Sequence, residues 1–143
     1  MSSIVVPSPS TIKGSCNCGA ITLSVPSEAF PSHSIICRCT NCRASGGSLF
    51  SVNLMIPIEK ITVSGQTKVY HDKGDSGGFV KRHFCGDCGS PVFSDCEAAP
   101  GVPFVKGGLF RALGFDVPPP QLQIFWKNHE EWETSIEGVA LQE

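Results

Sequence analysis

A mainly β fold, built of short strands with few and short helices, is what this 143-residue sequence predicts. Fifteen glycines and eleven prolines interrupt the chain too often for long helices and favour strands joined by turns. Apolar and polar side chains also alternate, as in Ile21-Thr22-Leu23-Ser24-Val25, the period of two expected of a sheet with one buried face. The length suits a single domain over residues 1–143 with its own core, residues 1–12 forming an extended N-terminal segment.

In chain order, the first strand falls at residues 20–25, where the alternation is cleanest. Residues 34–36 and 49–54 supply the next two. Residues 60–63 and 68–71 follow, carrying the β-branched or aromatic Ile61, Val63, Val69 and Tyr70 on either side of a Ser64-Gly65 turn. Residues 78–84, 91–93, Phe104–Lys106 and 122–126 complete the strands. Helical signals are confined to one turn at 40–44 and one at 128–132, the latter with Asn128 as its cap. Pro118-Pro119-Pro120 reads as a stiff extended connector into the last strand.

Seven of the eight cysteines form three clusters: Cys16-x-Cys18, Cys37-x-Cys39-x-x-Cys42 and Cys85-x-x-Cys88. Cysteines one or two residues apart are poorly spaced to bridge one another, yet they converge naturally on a small cation from a tight turn. A disulfide framework would also need an oxidising compartment. Residues 1–13 offer only Ile4-Val5-Val6 as an apolar run, too short for a signal-peptide core. The expectation is therefore zinc, in the reducing cytoplasm or the nucleus. Such pairs set two sulfurs about 3.5–4 Å apart, the edge that tetrahedral Zn–S bonds of about 2.3 Å require. Gly14 and Gly19 flank the first pair and Gly86 and Gly89 surround the last, giving the backbone freedom for tight turns. Seven thiolates divide unevenly: four close a tetrahedral site, and three leave a position for water or substrate.

Charge excludes one class of partner. With 11 Lys and Arg against 13 Asp and Glu, and no block of like charge, nucleic acid is not expected as a ligand. No run approaches the roughly 18 apolar residues of a membrane span. The sequence leaves the oligomeric state open.

Three segments together resemble the glutathione-dependent formaldehyde-activating enzyme family, also called the CENP-V/GFA domain family. They are Gly14-Ser15-Cys16-Asn17-Cys18-Gly19-Ala20, Cys37-Arg38-Cys39-Thr40-Asn41-Cys42-Arg43-Ala44-Ser45-Gly46-Gly47 and His83-Phe84-Cys85-Gly86-Asp87-Cys88-Gly89-Ser90-Pro91. Weaker likeness continues through Ile124-Phe125-Trp126 to Trp132, so it runs from about Lys13 towards the C-terminus. The resemblance implies an Mss4-like fold of short antiparallel sheets and ribbons around zinc. It implies two zinc ions per chain, a structural one on Cys16, Cys18, Cys85 and Cys88 and a catalytic one on Cys37, Cys39 and Cys42. The activity it implies is that of a carbon–sulfur lyase or synthase joining glutathione, as co-substrate, to formaldehyde or a related small aldehyde.

Zinc on three thiolates carries a formal charge of −1 and is soft enough to suit a fourth sulfur. A thiol bound there would be a thiolate at neutral pH, its pKa pulled below about 8.5. The resulting extra charge calls for nearby cations or hydrogen-bond donors. Arg38 and Arg43, inside and beside the middle cluster, are candidates for that role or for binding the carboxylates of glutathione, against the plainer reading of solvated surface charges. Asn41, Ser45 and the amides of Gly46-Gly47 are outlying candidates. His33, His71, His83 and His129 lack the spacing of ligands and read as structural, His83 being the best placed outer donor. Cys96 reads as a small buried bystander, and Trp126 and Trp132 as core. Two further functions fit the same cysteines: a related zinc enzyme acting on another small carbonyl or carboxyl metabolite, such as a decarboxylase, and a non-catalytic zinc-binding interaction module. The lack of basic tails weighs against the module.

Overall fold

A computed structural model describes residues 10–74 and 77–143, which are arranged as two sheets and two short helices. Strands β1 (Thr11–Ser15), β2 (Thr22–Pro26) and β5 (Thr62–Ser64) make a three-stranded antiparallel sheet in the order β1-β2-β5. The larger sheet is built from β3 (Ser34–Cys37), β4 (Ser51–Met55), β6 (Lys68–Lys73), β7 (Phe79–Phe84), β8 (Pro91–Cys96), β9 (Phe104–Lys106), β10 (Pro120–Ile124) and β11 (Ala140–Leu141). Its order is β11-β10-β3-β4-β9-β8-β7-β6, antiparallel except where β10 runs parallel to both β3 and β11. Helices α1 (Thr40–Gly46) and α2 (Gly108–Arg111) complete the mainly β fold that the sequence predicts.

One apolar cluster joins the two sheets. Leu23 and Val25 from β2 meet Leu54, Val92 and Val105 from the large sheet, all at 1 % exposure or less, with Phe110 of α2 equally enclosed. Phe30 closes this core edge-on against Phe110 at 5.0 Å. Gly14 lets β1 approach α2, since a Cβ there would lie 3.2 Å from the Leu109 backbone.

Partners across a ladder point to the same face of a sheet, and so do residues i and i+2 along a strand. The register pairs Arg82 with Ser94, Ser94 with Phe104, Lys106 with Asn53, and Ser51 with Cys37. A polar stripe therefore crosses β7, β8, β9, β4 and β3 on one face. Leu54, Phe93 and Val105, of the opposite parity, enter the core.

Strands β1 and β11 and helix α2 fall outside the expected elements, as do two 3-10 turns at Ser27–Ala29 and Ile58–Lys60. Residues 1–9 of the expected N-terminal segment lie outside the described residues, while β1 already begins at Thr11. The helical turn expected at 128–132 is absent. A 3-10 turn forms earlier, at Trp126–Asn128, entered through Phe125 at φ 58°, and His129 is extended. The Asn128 side chain donates to the Arg38 carbonyl at 3.0 Å, which explains why it caps no helix. The turn expected at 40–44 exists and runs on to Gly46, where Gly47 ends it at φ 63°. The expected strands at 49–54, 91–93 and 122–126 are Ser51–Met55, Pro91–Cys96 and Pro120–Ile124.

Candidate metal centre

Two turns bring four thiols together. Cys16 and Cys18 occupy the bend after β1, Cys85 and Cys88 the bend between β7 and β8, and their sulfurs all lie within 4.8 Å of one another. Cys18 Sγ is 3.7 Å from both Cys16 Sγ and Cys85 Sγ, the edge length of a tetrahedral thiolate site. Gly19 at φ 83° and Gly89 at φ 79° take the left-handed conformations these bends require. Gly14 and Gly86 do not; both instead allow close packing, Gly86 beneath the Lys68 stem.

The thiols of this cluster differ in charge. Ser90 hydrogen-bonds Cys88 and holds its thiol down at about 5. The Ala20 amide favours a thiolate at Cys18, but Cys88, burial and Cys85 push it up to about 12. Four thiols that converge from two turns of matched spacing form a donor set that fits a divalent cation.

The second cluster is smaller and deeper. Cys37 ends β3, Cys39 caps α1 by accepting from the Cys42 amide at 3.2 Å, and Cys42 sits in the first turn. All three are 6–8 % exposed, with sulfurs within 4.8 Å of one another. Cys37 and Cys39 stabilise the Cys42 thiolate, holding it far below the ordinary thiol value, and Cys37 is pushed up in turn by Cys39 and Cys42. Three sulfurs sharing one charge form a donor set that fits a soft divalent cation and leave one tetrahedral position free.

A cavity of about 260 Å³ opens beside these three sulfurs. The polar stripe of the sheet supplies its cations. Arg82 directs Nη1 towards Cys42 Sγ at 3.9 Å and is anchored through Nε to Asp72 at 2.7 Å. Asn41 of α1 grips the same carboxylate, 2.8 Å from each oxygen, so Asp72 is held ionised against the cost of burial. Lys106 donates to Asn53 Oδ1 at 2.8 Å, and Asn53 is fixed by donating to Ser51 Oγ at 2.9 Å. Burial pulls the Lys106 ammonium down, and the Cys42 thiolate opposes that pull. Phe79, Phe104, Ile124 and Phe125 give the cavity apolar walls.

Arg38 and Arg43, the cations expected from sequence, face elsewhere: neither lines this cavity. Arg38 is 2 % exposed and bonded to Glu133 and Gln123, its guanidinium between the rings of Phe50 and Trp126. Arg43 bonds Glu130 and the Asn128 carbonyl. His83 stacks on Phe93 at 4.1 Å between Thr67 and Asp95, His129 stacks on Trp126 at 3.9 Å, and His33 meets Ser32. Trp132, expected in the core, is 72 % exposed. Cys96, expected as a bystander, lines the cavity. Arg82, Lys106 and Asp72 had not been singled out from the sequence.

The sequence profile of the glutathione-dependent formaldehyde-activating enzyme family matches residues 11–128, a span that holds both clusters. The chain belongs to this family. Among relatives of the formaldehyde-activating enzyme family, a Halomonas elongata protein provisionally named for that activity is 29 % identical over 130 residues, covering 85 % of this chain and 78 % of its own length. A Phaeosphaeria nodorum protein with the same provisional name is 27 % identical over 106 residues, covering 72 % of this chain. The chain spans about half the length of the fungal relatives it matches, 55 % in that case. A crystal structure of a Rhodobacter sphaeroides protein shares the fold at TM-score 0.56 and 21 % identity, covering 73 % of this chain and 96 % of that one. No helix among the described residues is long and apolar enough to cross a membrane.

Proposed function

We propose that this family member is a zinc-dependent enzyme that adds a thiol to a small aldehyde at Cys37, Cys39 and Cys42, with glutathione and formaldehyde as the first pair to test. A second, structural zinc would sit on Cys16, Cys18, Cys85 and Cys88. The observation that carries the reading is the convergence of three buried thiols on one end of a cavity that also holds two cations. When bound, zinc supplies a soft centre with one free position, which keeps a thiol ionised at neutral pH.

The chain's own residues set the conditions. Arg82, 3.9 Å from Cys42 Sγ, offsets the negative charge that a fourth sulfur brings. Its orientation is fixed by Asp72, which Asn41 holds from α1. In the reaction the thiol sulfur bonds to the aldehyde carbon and the thiol proton ends on the former carbonyl oxygen. A concave cavity lined by apolar walls and a few convergent polar groups argues for an enzyme over an interaction module. All eight cysteines are free, a state that suits a reducing cytoplasm.

Cobalt substitution tests the reading. The expected result is about two metals bound per chain, a glutathione-dependent change in the thiolate-to-metal band at one of them, and faster adduct formation with labelled formaldehyde. Metal-free protein after purification under reducing conditions, or a band that no thiol perturbs, would refute it.

A further inference from the structure

Lys106 is placed unlike any other lysine described. It stands directly across the ladder from Asn53, and the only hydrogen bond its ammonium makes among the described residues is to Asn53 Oδ1. Among the described residues no carboxylate pairs with it, whereas Arg82 on the same face is paired with Asp72. A lysine ammonium has three donors, so two remain for a guest. The residue is half-buried and lines the cavity beside the three thiols. Formaldehyde, with two heavy atoms and no charge, fills little of the 260 Å³ and offers these donors only one neutral carbonyl oxygen.

We propose that Lys106 receives a carboxylate of the compound that enters this cavity, so that the preferred guest carries its reactive sulfur or aldehyde a few bonds from a carboxylate. The assignment rests on the reading of the cavity as the reaction site. The carboxylate can be borne by the thiol or by the aldehyde. Charge-assisted hydrogen bonds at a partly desolvated ammonium make either a selective contact. Asn53, pinned by Ser51, sets the direction of approach.

Calorimetric titration of the metal-loaded protein distinguishes these cases. One pair of probes is 3-mercaptopropionate and its amide; the other is 4-oxobutanoate and its amide. In whichever pair binds, the carboxylate is expected to bind roughly 10- to 100-fold more tightly than the amide. Lys106→Met should reduce that preference to about threefold or less, and Lys106→Arg should keep most of it. Equal affinities within both pairs overturn the assignment, as does a preference that survives Lys106→Met. If that variant fails to fold or to load metal, Lys106→Gln takes its place, and a preference that survives it overturns the assignment in the same way. If both thiols fail to bind while the oxo acid shows the preference, the thiol half of the proposed function falls and the role of Lys106 stands. If the thiols bind equally, perturb the cobalt band and the oxo pair shows no preference, the reverse holds.

Discussion

Replacing Arg38 by methionine should destabilise the fold far more than it alters ligand binding. The side chain is 2 % exposed and Glu133, its partner, 5 %; two nitrogens contact one Glu133 oxygen at 2.9 and 3.1 Å, and a third donates to Gln123 at 2.8 Å. Methionine fills part of the slot between Phe50 and Trp126 but leaves a buried carboxylate without its cation. Breaking a buried pair from one side costs about 3–5 kcal/mol. For a chain of this length that corresponds to a fall in Tm of roughly 10–15 °C, at about 3 °C per kcal/mol. The assay is urea and thermal unfolding of metal-loaded protein, with metal content measured on the same samples. Adding Glu133→Gln to Arg38→Met should restore a large part of the loss, a coupling that a double-mutant cycle isolates. Destabilisation below about 1 kcal/mol, or a glutathione affinity that falls tenfold while stability holds, would refute the structural role and restore Arg38 as a ligand-binding residue.

Acid should weaken the same contact with a defined sign. Glu133 is held below its ordinary 4.5 and Asp72 below its ordinary 3.8 despite burial, Glu133 by the Glu130 amide and Arg38, Asp72 by Arg82 and Asn41. Their contribution is full above those ordinary values and is lost as pH falls through the lower folded ones, so the urea midpoint should drop below about pH 4.5 and the drop should be shallower in Glu133→Gln. Cys42→Ser should reduce bound metal from about two to about one per chain and abolish the thiol response, leaving circular dichroism unchanged; Cys85→Ser should instead unfold the chain at ordinary temperature or on mild chelation. Gly89→Ala, at φ 79°, should cost about 1–2 kcal/mol in urea unfolding. Gly46→Ala within α1, where a Cβ would meet only Ser48 Oγ at 3.7 Å, should be neutral or stabilising by about 0.5 kcal/mol.

The three cysteine clusters were legible because their signal lies in local spacing, while the meeting of the first with the last, which the family resemblance implied, is a matter of tertiary structure. The cations of the cavity were not legible. Arg82 could have been suspected, because it is a charged residue sharing the parity of the apolar Val80 in its strand. Lys106 carries no such signal in a three-residue strand; its place depends on the pairing of β9 with β4, where its partner Asn53 lies 53 positions away. Arg38 misled because proximity in sequence to two ligands said nothing of its direction. Cys37 and Cys39 point to one side, and the intervening side chain is carried to the other, against Glu133. The turn at 128–132 failed for a related reason: Asn128 had a tertiary acceptor that outweighed its local use as a cap.

The four-thiol bend joins residues 67 apart, and both hairpins must exist before it can close. Closing a loop of that length costs conformational entropy that nothing local repays until the sulfurs meet. All three thiols of the other cluster, and the strand that brings Arg82 to them, lie inside that loop. If the four thiols hold an ion, assembly should therefore have an order: its capture tethers the hairpins, and the three-thiol cluster matures afterwards within the constrained span, with β8, β9 and β10 completing the cavity from outside it. Refolding rates would then depend steeply on metal concentration, and a newly made chain short of metal would have neither site.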